Sequence, residues 1–150
     1  MMHYSYIKKL LTHKKVYLKM ANLKDKLDRI FSEFIRLRDS DSNGYCRCIS
    51  CGAIHHWKEV DCGHYVNRSH MATRYDERNC NAQCRKCNRF DEGNNIGYTK
   101  GLIAKYGDKV IDELYVKKHS ISKMSKAEYE ILINDYKQKV KELKDAKTPK

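Results

Sequence analysis

The sequence predicts an α+β protein with a small metal-stapled core containing β-strands, flanked by N- and C-terminal α-helices. Three observations point there. Apolar residues recur at helical spacing near both ends of the chain. All seven cysteines fall between residues 45 and 96. Within that stretch hydrophobic periodicity is poor, as expected of a region held by metal rather than by a core of its own.

The elements follow in order. Residues 1–22 form a basic N-terminal arm, with Lys8, Lys9, Lys14, Lys15 and Lys19 and only brief apolar stretches. Leu23, Leu27, Ile30, Phe31, Phe34, Ile35 and Leu37 then keep helical spacing, which predicts a helix ending near Arg38. Asp39-Ser40-Asp41-Ser42-Asn43-Gly44 breaks it. After the cysteine-rich stretch, a helix runs from Tyr98 to Tyr106 and stops at Gly107. Asp108 caps the next, which carries Val110, Ile111 and Leu114. Ser125 and Glu128 form a capping box for the last helix. That helix lines up Tyr129, Leu132, Ile133, Tyr136, Val140 and Leu143 on one face, opposite a charged, solvated one. The tail from Asp145 to Lys150 is expected to fray. Residues 23–115 thus make the central domain, and 116–150 a C-terminal helical extension.

Bulk properties narrow the function. A length of 150 residues fits one domain with helical extensions. Hydrophobic content of 41% with a mean hydropathy of -0.82 allows only a thin core. Lys and Arg number 31 against 19 Asp and Glu, a formal charge of +12 that favours a polyanionic partner such as DNA or RNA. No apolar run approaches the ~20 residues of a membrane span. The N-terminus lacks the apolar region and cleavage site of a signal peptide. The expected compartment is therefore the cytoplasm, where disulfides are disfavoured and metal ligation better explains the cysteines.

Cys48-Ile49-Ser50-Cys51 and Cys84-Arg85-Lys86-Cys87 are two CxxC knuckles. Together they supply the four thiolates that a tetrahedral structural zinc prefers. Such a site carries a net charge of about -2, which lowers the basic surplus without reversing it. Cys46, His55 and His56 are possible substitutes for one ligand. Cys62 and Cys80 lie outside both knuckles and read as buried free thiols.

The zinc-closed loop encloses Val60-Asp61-Cys62-Gly63-His64-Tyr65, and Asn79 lies five residues before the second knuckle. Asn88 follows that knuckle directly. This order resembles the HNH pattern, here as His64, Asn79 and Asn88. The chemistry fits the residue types. Phosphodiester hydrolysis needs a base for water, and neutral imidazole, with a pKa of about 6.5, can serve. It also needs a cation on the phosphate oxygens, Mg²⁺ or Mn²⁺, and Asn88 offers a hard carbonyl oxygen. Asn79 would brace the loop that orients His64. In the commonest pattern an acidic ligand directly precedes the His. Here Gly63 does, so Asp61 is the weaker candidate, with His70, Asp76 and Glu77 as alternatives; Asp76 and Glu77 can also simply pair with Arg74 or Arg78. Arg68, Arg74, Arg78, Arg85, Lys86 and Arg89 are candidate phosphate contacts.

A longer series of residues resembles the phage NinG (Rap) recombination nucleases. It includes Phe34-Ile35-Arg36-Leu37-Arg38-Asp39, the first knuckle with Gly52, and Gly63-His64-Tyr65. It continues through Ala72 to Asn79, Gln83 to Phe90, Gly93-Asn94, and Leu102-Ile103 with Tyr106-Gly107. The knuckle arrangement is also similar to junction resolvases of the phage endonuclease VII type. The resemblance implies a ββα-metal (His-Me finger) core and structure-specific cleavage of D-loops and Holliday junctions. It further implies His64 as base, Asn88 on the catalytic metal, four cysteines on zinc, and phage or host recombination proteins as partners. Two other functions compete: a non-catalytic zinc module binding DNA or RNA, and a sequence-specific homing or restriction-type enzyme. Branched DNA suggests paired active sites, and the apolar stripes of the first and last helices could form a homodimer interface or pack within one chain.

Overall fold

The computed structural model describes residues 2–147, with side chains from residue 8 onward. Helix α1 (Met2–Arg38) is followed by strands β1 (Tyr45–Arg47), β2 (Ile54–His56) and β3 (Val60–His64). A short helix α2 (Met71–Arg74), strand β4 (Cys80–Cys84) and a π-helical turn (Lys86–Phe90) complete the middle. Helices α3 (Asn95–Tyr106), α4 (Lys109–Lys118) and α5 (Lys126–Lys147) close the chain. The result is mixed α+β, with helices at both ends and two small antiparallel sheets, β1-β2 and β3-β4. In the second, Val60 faces Cys84 and His64 faces Cys80.

Helix α1 starts at Met2 rather than near Leu23. No Gly or Pro interrupts residues 2–38, so the basic arm continues the helix. Its residues 8–19 are exposed. Leu27, Phe31, Phe34 and Ile35 pack against Tyr129, Ile133, Tyr136 and Val140 of α5. Phe31 meets Tyr136 edge-on at 4.9 Å between ring centroids. Burying an aromatic this size stabilises by about 2–3 kcal/mol. The two apolar stripes therefore face each other within one chain, and the α5 stripe is not open for a homodimer.

Helices α3 and α4 enclose a second cluster of Val66, Tyr98, Leu102, Val110 and Leu114. Helix α3 lies directly on the first knuckle. A Cβ at Gly97 would sit 2.2 Å from the Ser50 carbonyl oxygen, and one at Gly101 2.1 Å from that of Ile49. Asn94 caps α3 by accepting from the Gly97 N–H. Gly107 ends it at φ +87°. Asp108 makes no side-chain cap, contrary to expectation, and adopts a helical conformation ahead of α4. The capping box of α5 forms: Ser125 N–H donates to Glu128 Oε2 at 2.7 Å, and Glu128 N–H to Ser125 Oγ at 3.3 Å. The end of α5 at Lys147 covers part of the expected frayed tail; residues 148–150 lie outside the described residues. Among the described residues, no helix is long and apolar enough to cross a membrane.

Candidate functional site

The two knuckles converge. The sulfurs of Cys48, Cys51, Cys84 and Cys87 all lie within 4.8 Å of one another. N–H groups point at three of the four sulfurs. The Cys84 N–H points to Cys48 Sγ at 3.3 Å, the Cys87 N–H to Cys84 Sγ at 3.5 Å, and Asn94 Nδ2 to Cys87 Sγ at 3.4 Å. Burial alone would raise the Cys48 thiol, but N–H groups of Cys84, Cys51 and Ser50 outweigh it and hold the pKa below the ordinary value. Burial pushes Cys84 up, and Cys87 to about 12. A metal must displace protons from these thiols, so binding is coupled to pH. The four-sulfur donor set and its N–H···S bonds fit a metal such as zinc. Cys46 is not among these ligands; it packs with Val60 and Ala82. His55 and His56 lie on β2, also outside the cluster.

A basic cleft of about 460 Å³ opens beside this cluster. Asp61, Cys62 and Asn88 line it, together with Arg36, Lys58, Arg68, Arg85 and Arg89. Asp61 and Asn88 are thus brought together: Asn88 Nδ2 donates to Asp61 Oδ2 at 3.0 Å. Arg89 grips both carboxylate oxygens at 2.7 and 2.6 Å. Burial would raise the Asp61 carboxyl, but the Arg89 and Asn88 hydrogen bonds outweigh it and keep the pKa low. Asn88 sits in the π-helical turn rather than at the start of an α-helix.

His64 ends β3 and does not line this cleft. Its Nε2 lies 3.0 Å from the Arg74 carbonyl oxygen. A carbonyl can only accept, so Nε2 carries the proton and Nδ1 the lone pair. Burial lowers the pKa of His64, and the Arg74 and Arg68 charges add to that; only hydrogen bonds to backbone carbonyls oppose it. Gly63 explains why no acid precedes the histidine. A Cβ there would lie 2.2 Å from Gln83 Oε1 and 2.9 Å from Gln83 Cβ.

Asn79 is fully buried and braces the loop between β3 and β4. Its Oδ1 accepts from Val66 N–H at 2.7 Å, and its Nδ2 donates to the Val66 and Thr73 carbonyls at 3.0 Å each. Asn79 and Asn88 make no hydrogen bond to His64. Asp76 instead pairs with Lys117 and Arg78, and Glu77 with Lys139 and the Tyr136 hydroxyl.

The candidate phosphate contacts divide. Arg74 is a correction: its side chain is only 5% exposed and pairs bidentately with Asp28, so it braces the fold instead of reaching solvent. Arg78 pairs with Glu113 and Asp76 while partly exposed. Arg68 is 65% exposed, and Arg85, Lys86 and Arg89 are also on the surface. Arg36 and Lys58 belong to the cleft and were not legible as site residues, because they come from α1 and the β2–β3 turn, far along the chain from Asn88.

The family model for the bacteriophage lambda NinG protein matches residues 7–146. The chain belongs to the NinG family. That match extends past residues 23–115 into both terminal helices. The ninG protein of Salmonella phage P22 is 34% identical over 116 residues, covering 77% of this chain and 54% of the relative. That of Escherichia phage lambda is 33% identical over the same length and shares. That of Escherichia phage 933W is 34% identical over 116 residues, 77% of this chain and 55% of its own. The chain thus spans about half the length of these relatives. No solved structure matches.

Proposed function

We propose that this NinG-family chain is a zinc-stapled, metal-dependent endonuclease of the HNH type that cuts branched DNA. The observation that carries the reading is the hydrogen bond from His64 Nε2 to the Arg74 carbonyl. It leaves the lone pair on Nδ1, and Asp61 and Cys62 of the same strand line a cleft rich in arginine and lysine. The depressed pKa keeps the imidazole neutral at physiological pH, as a base for water must be. Arg68, Arg85, Lys86 and Arg89 draw in the phosphate backbone. Asp61 and Asn88 would hold a divalent cation in place of the Arg89 guanidinium, and that cation would supply charge to the phosphate oxygens. Asn79 keeps the His64 loop in register. The resemblance to recombination nucleases carries the branched substrate.

The test is cleavage of labelled four-way junction, D-loop, linear duplex and single strand with Mg²⁺ or Mn²⁺. Wild type cuts branched DNA, leaving 5′-phosphate and 3′-hydroxyl ends. His64→Ala loses about 100-fold or more in rate while binding persists. The acid limb of the wild-type pH–rate profile falls below pH 6.5, the ordinary histidine value, because the folded pKa lies lower. A second reading, a DNA-binding zinc module without catalysis, draws on the engagement of Asp61 by Arg89 and on the position of His64 outside the cleft. Tight junction binding with no cutting in either metal would establish it instead.

A further inference from the structure

We propose that the groove between the loop before β1, the turn after β2 and the end of α5 takes an unpaired nucleotide of a DNA strand. Its base would lie against the rings of Trp57 and His56, and its phosphate on Lys58. The inference rests on the reading of the chain as a DNA-binding protein and deepens it to a kind of strand. The groove measures about 610 Å³, and Asn43, His56, Trp57, Lys58, Lys144 and Lys147 are among its lining residues. That size falls within the roughly 300–1,000 Å³ of sites that enclose a small molecule. No acidic side chain lines it.

The rings are contiguous. Tyr45 meets His56 edge-on at 5.6 Å between centroids, and His56 lies 6.0 Å from Trp57. Gly44 lets the preceding loop close on both. A Cβ there would lie 2.9 Å from His56 Nε2 and 3.2 Å from Trp57 Cδ1. Two cations lie over the indole, Arg36 at 5.5 Å and Lys58 at 5.6 Å from the ring centre. They differ in freedom. Arg36 is tied to the Ser32 and Trp57 carbonyls, whereas Lys58 is exposed. The electron-rich indole face that attracts an ammonium also stacks a base. A base takes the place of the Lys58 ammonium once that ammonium turns to a phosphate. Lys147 donates to the Ser40 and Asp41 carbonyls, so no carboxylate in these contacts cancels its charge; Lys144 pairs with Glu33. Lys58 also lines the basic cleft, so a strand leaving the cleft passes it into the groove. Paired bases are stacked on their neighbours and offer only edges. An unpaired base has a free face, and aromatic side chains hold such bases whatever their sequence.

Trp57 is the chain's single tryptophan, so its emission reports this groove alone. The full chain is titrated, without added Mg²⁺, with an oligothymidylate and with a blunt duplex of equal length. Labelled DNA gives the affinities by anisotropy. The oligothymidylate quenches Trp57 saturably, and the duplex binds without quenching. Trp57→Ala weakens oligothymidylate binding about 10-fold and duplex binding by less than about twofold. Trp57 also packs on the α1–α5 cluster. If that variant folds poorly by far-UV circular dichroism, His56→Ala carries the comparison, with an expected loss of about threefold on the single strand only. Saturated oligothymidylate binding with unchanged Trp57 emission overturns the site. So does equal loss on both DNAs in a folded variant, or a failure to bind the oligothymidylate. Quenching in a protein that cuts nothing removes only the nuclease reading, whereas cutting of branched DNA with a silent Trp57 removes only the groove.

Discussion

Around α1 and α5, burial is aromatic and aliphatic, with Phe31, Phe34, Tyr129 and Tyr136 stacked in one cluster. Between Tyr45 and Phe90 the buried aliphatics are few, Val60, Val66 and Ala82, and thiols and amides predominate: Cys46, Cys48, Cys80, Cys84 and Cys87 with Asn79, Asn81 and Gln83. The amides are hydrogen-bonded. Gln83 Nε2 donates to Ser50 Oγ and the Gly93 carbonyl, and Asn81 Oδ1 accepts from Lys105 and Arg38. Among the described residues, no buried side-chain nitrogen or oxygen lacks a partner. The helical body rests on non-directional burial and tolerates changes of shape that conserve volume. The middle rests on directional bonds, which fix positions tightly and fail sharply when one partner is lost.

Removing a metal held by the four-cysteine cluster should break the comparison most visibly. Structural zinc supplies about 10 kcal/mol or more of folding energy in small domains. Chelation, or Cys84→Ser, should abolish near-UV dichroism from Tyr65 and Tyr98, while much of the far-UV helical signal from α1 and α5 survives. Loss of both signals in one transition would mean the two regions fold as a unit. Phe31→Ala should act the other way, costing about 3–5 kcal/mol in urea denaturation with metal content unchanged.

The smallest effect sits where the regions meet, at Asp28. Burial would raise this carboxyl, but hydrogen bonds from Arg74 and the Tyr75 hydroxyl outweigh it and hold the pKa below 3.8. A carboxylate depressed in the folded state contributes stability above its unfolded pKa and loses it as pH falls through the lower folded value. Asp28→Asn should therefore cost about 2 kcal/mol at neutral pH. That difference should shrink to nothing in acid, below the ordinary value of 3.8. A difference that stayed constant with pH would assign Asp28 a packing role only.

Much of this was legible in sequence, for physical reasons that differ by residue. The knuckles and the capping box were readable because their partners are three residues apart, and backbone geometry alone brings them together. The α5 stripe was readable from period, but its partner was not, since period tells which face is apolar and not what covers it. Arg74 was misread because a guanidinium looks the same in sequence whether it reaches phosphate or meets Asp28 across the fold. That His64 does not line the cleft was hidden too, because it depends on how β3 faces its neighbours and not on the His64-to-Asn88 spacing.

The pairing of the first helix with the last has a consequence for biosynthesis. Phe31 leaves the ribosome early, yet its partner Tyr136 follows about a hundred residues later, a contact of the long-range kind that slows folding. Both knuckles have emerged well before then. During translation, the four cysteines can therefore come together while the apolar face of α1 is still waiting for α5, and that uncovered face is where the nascent chain is most exposed to aggregation.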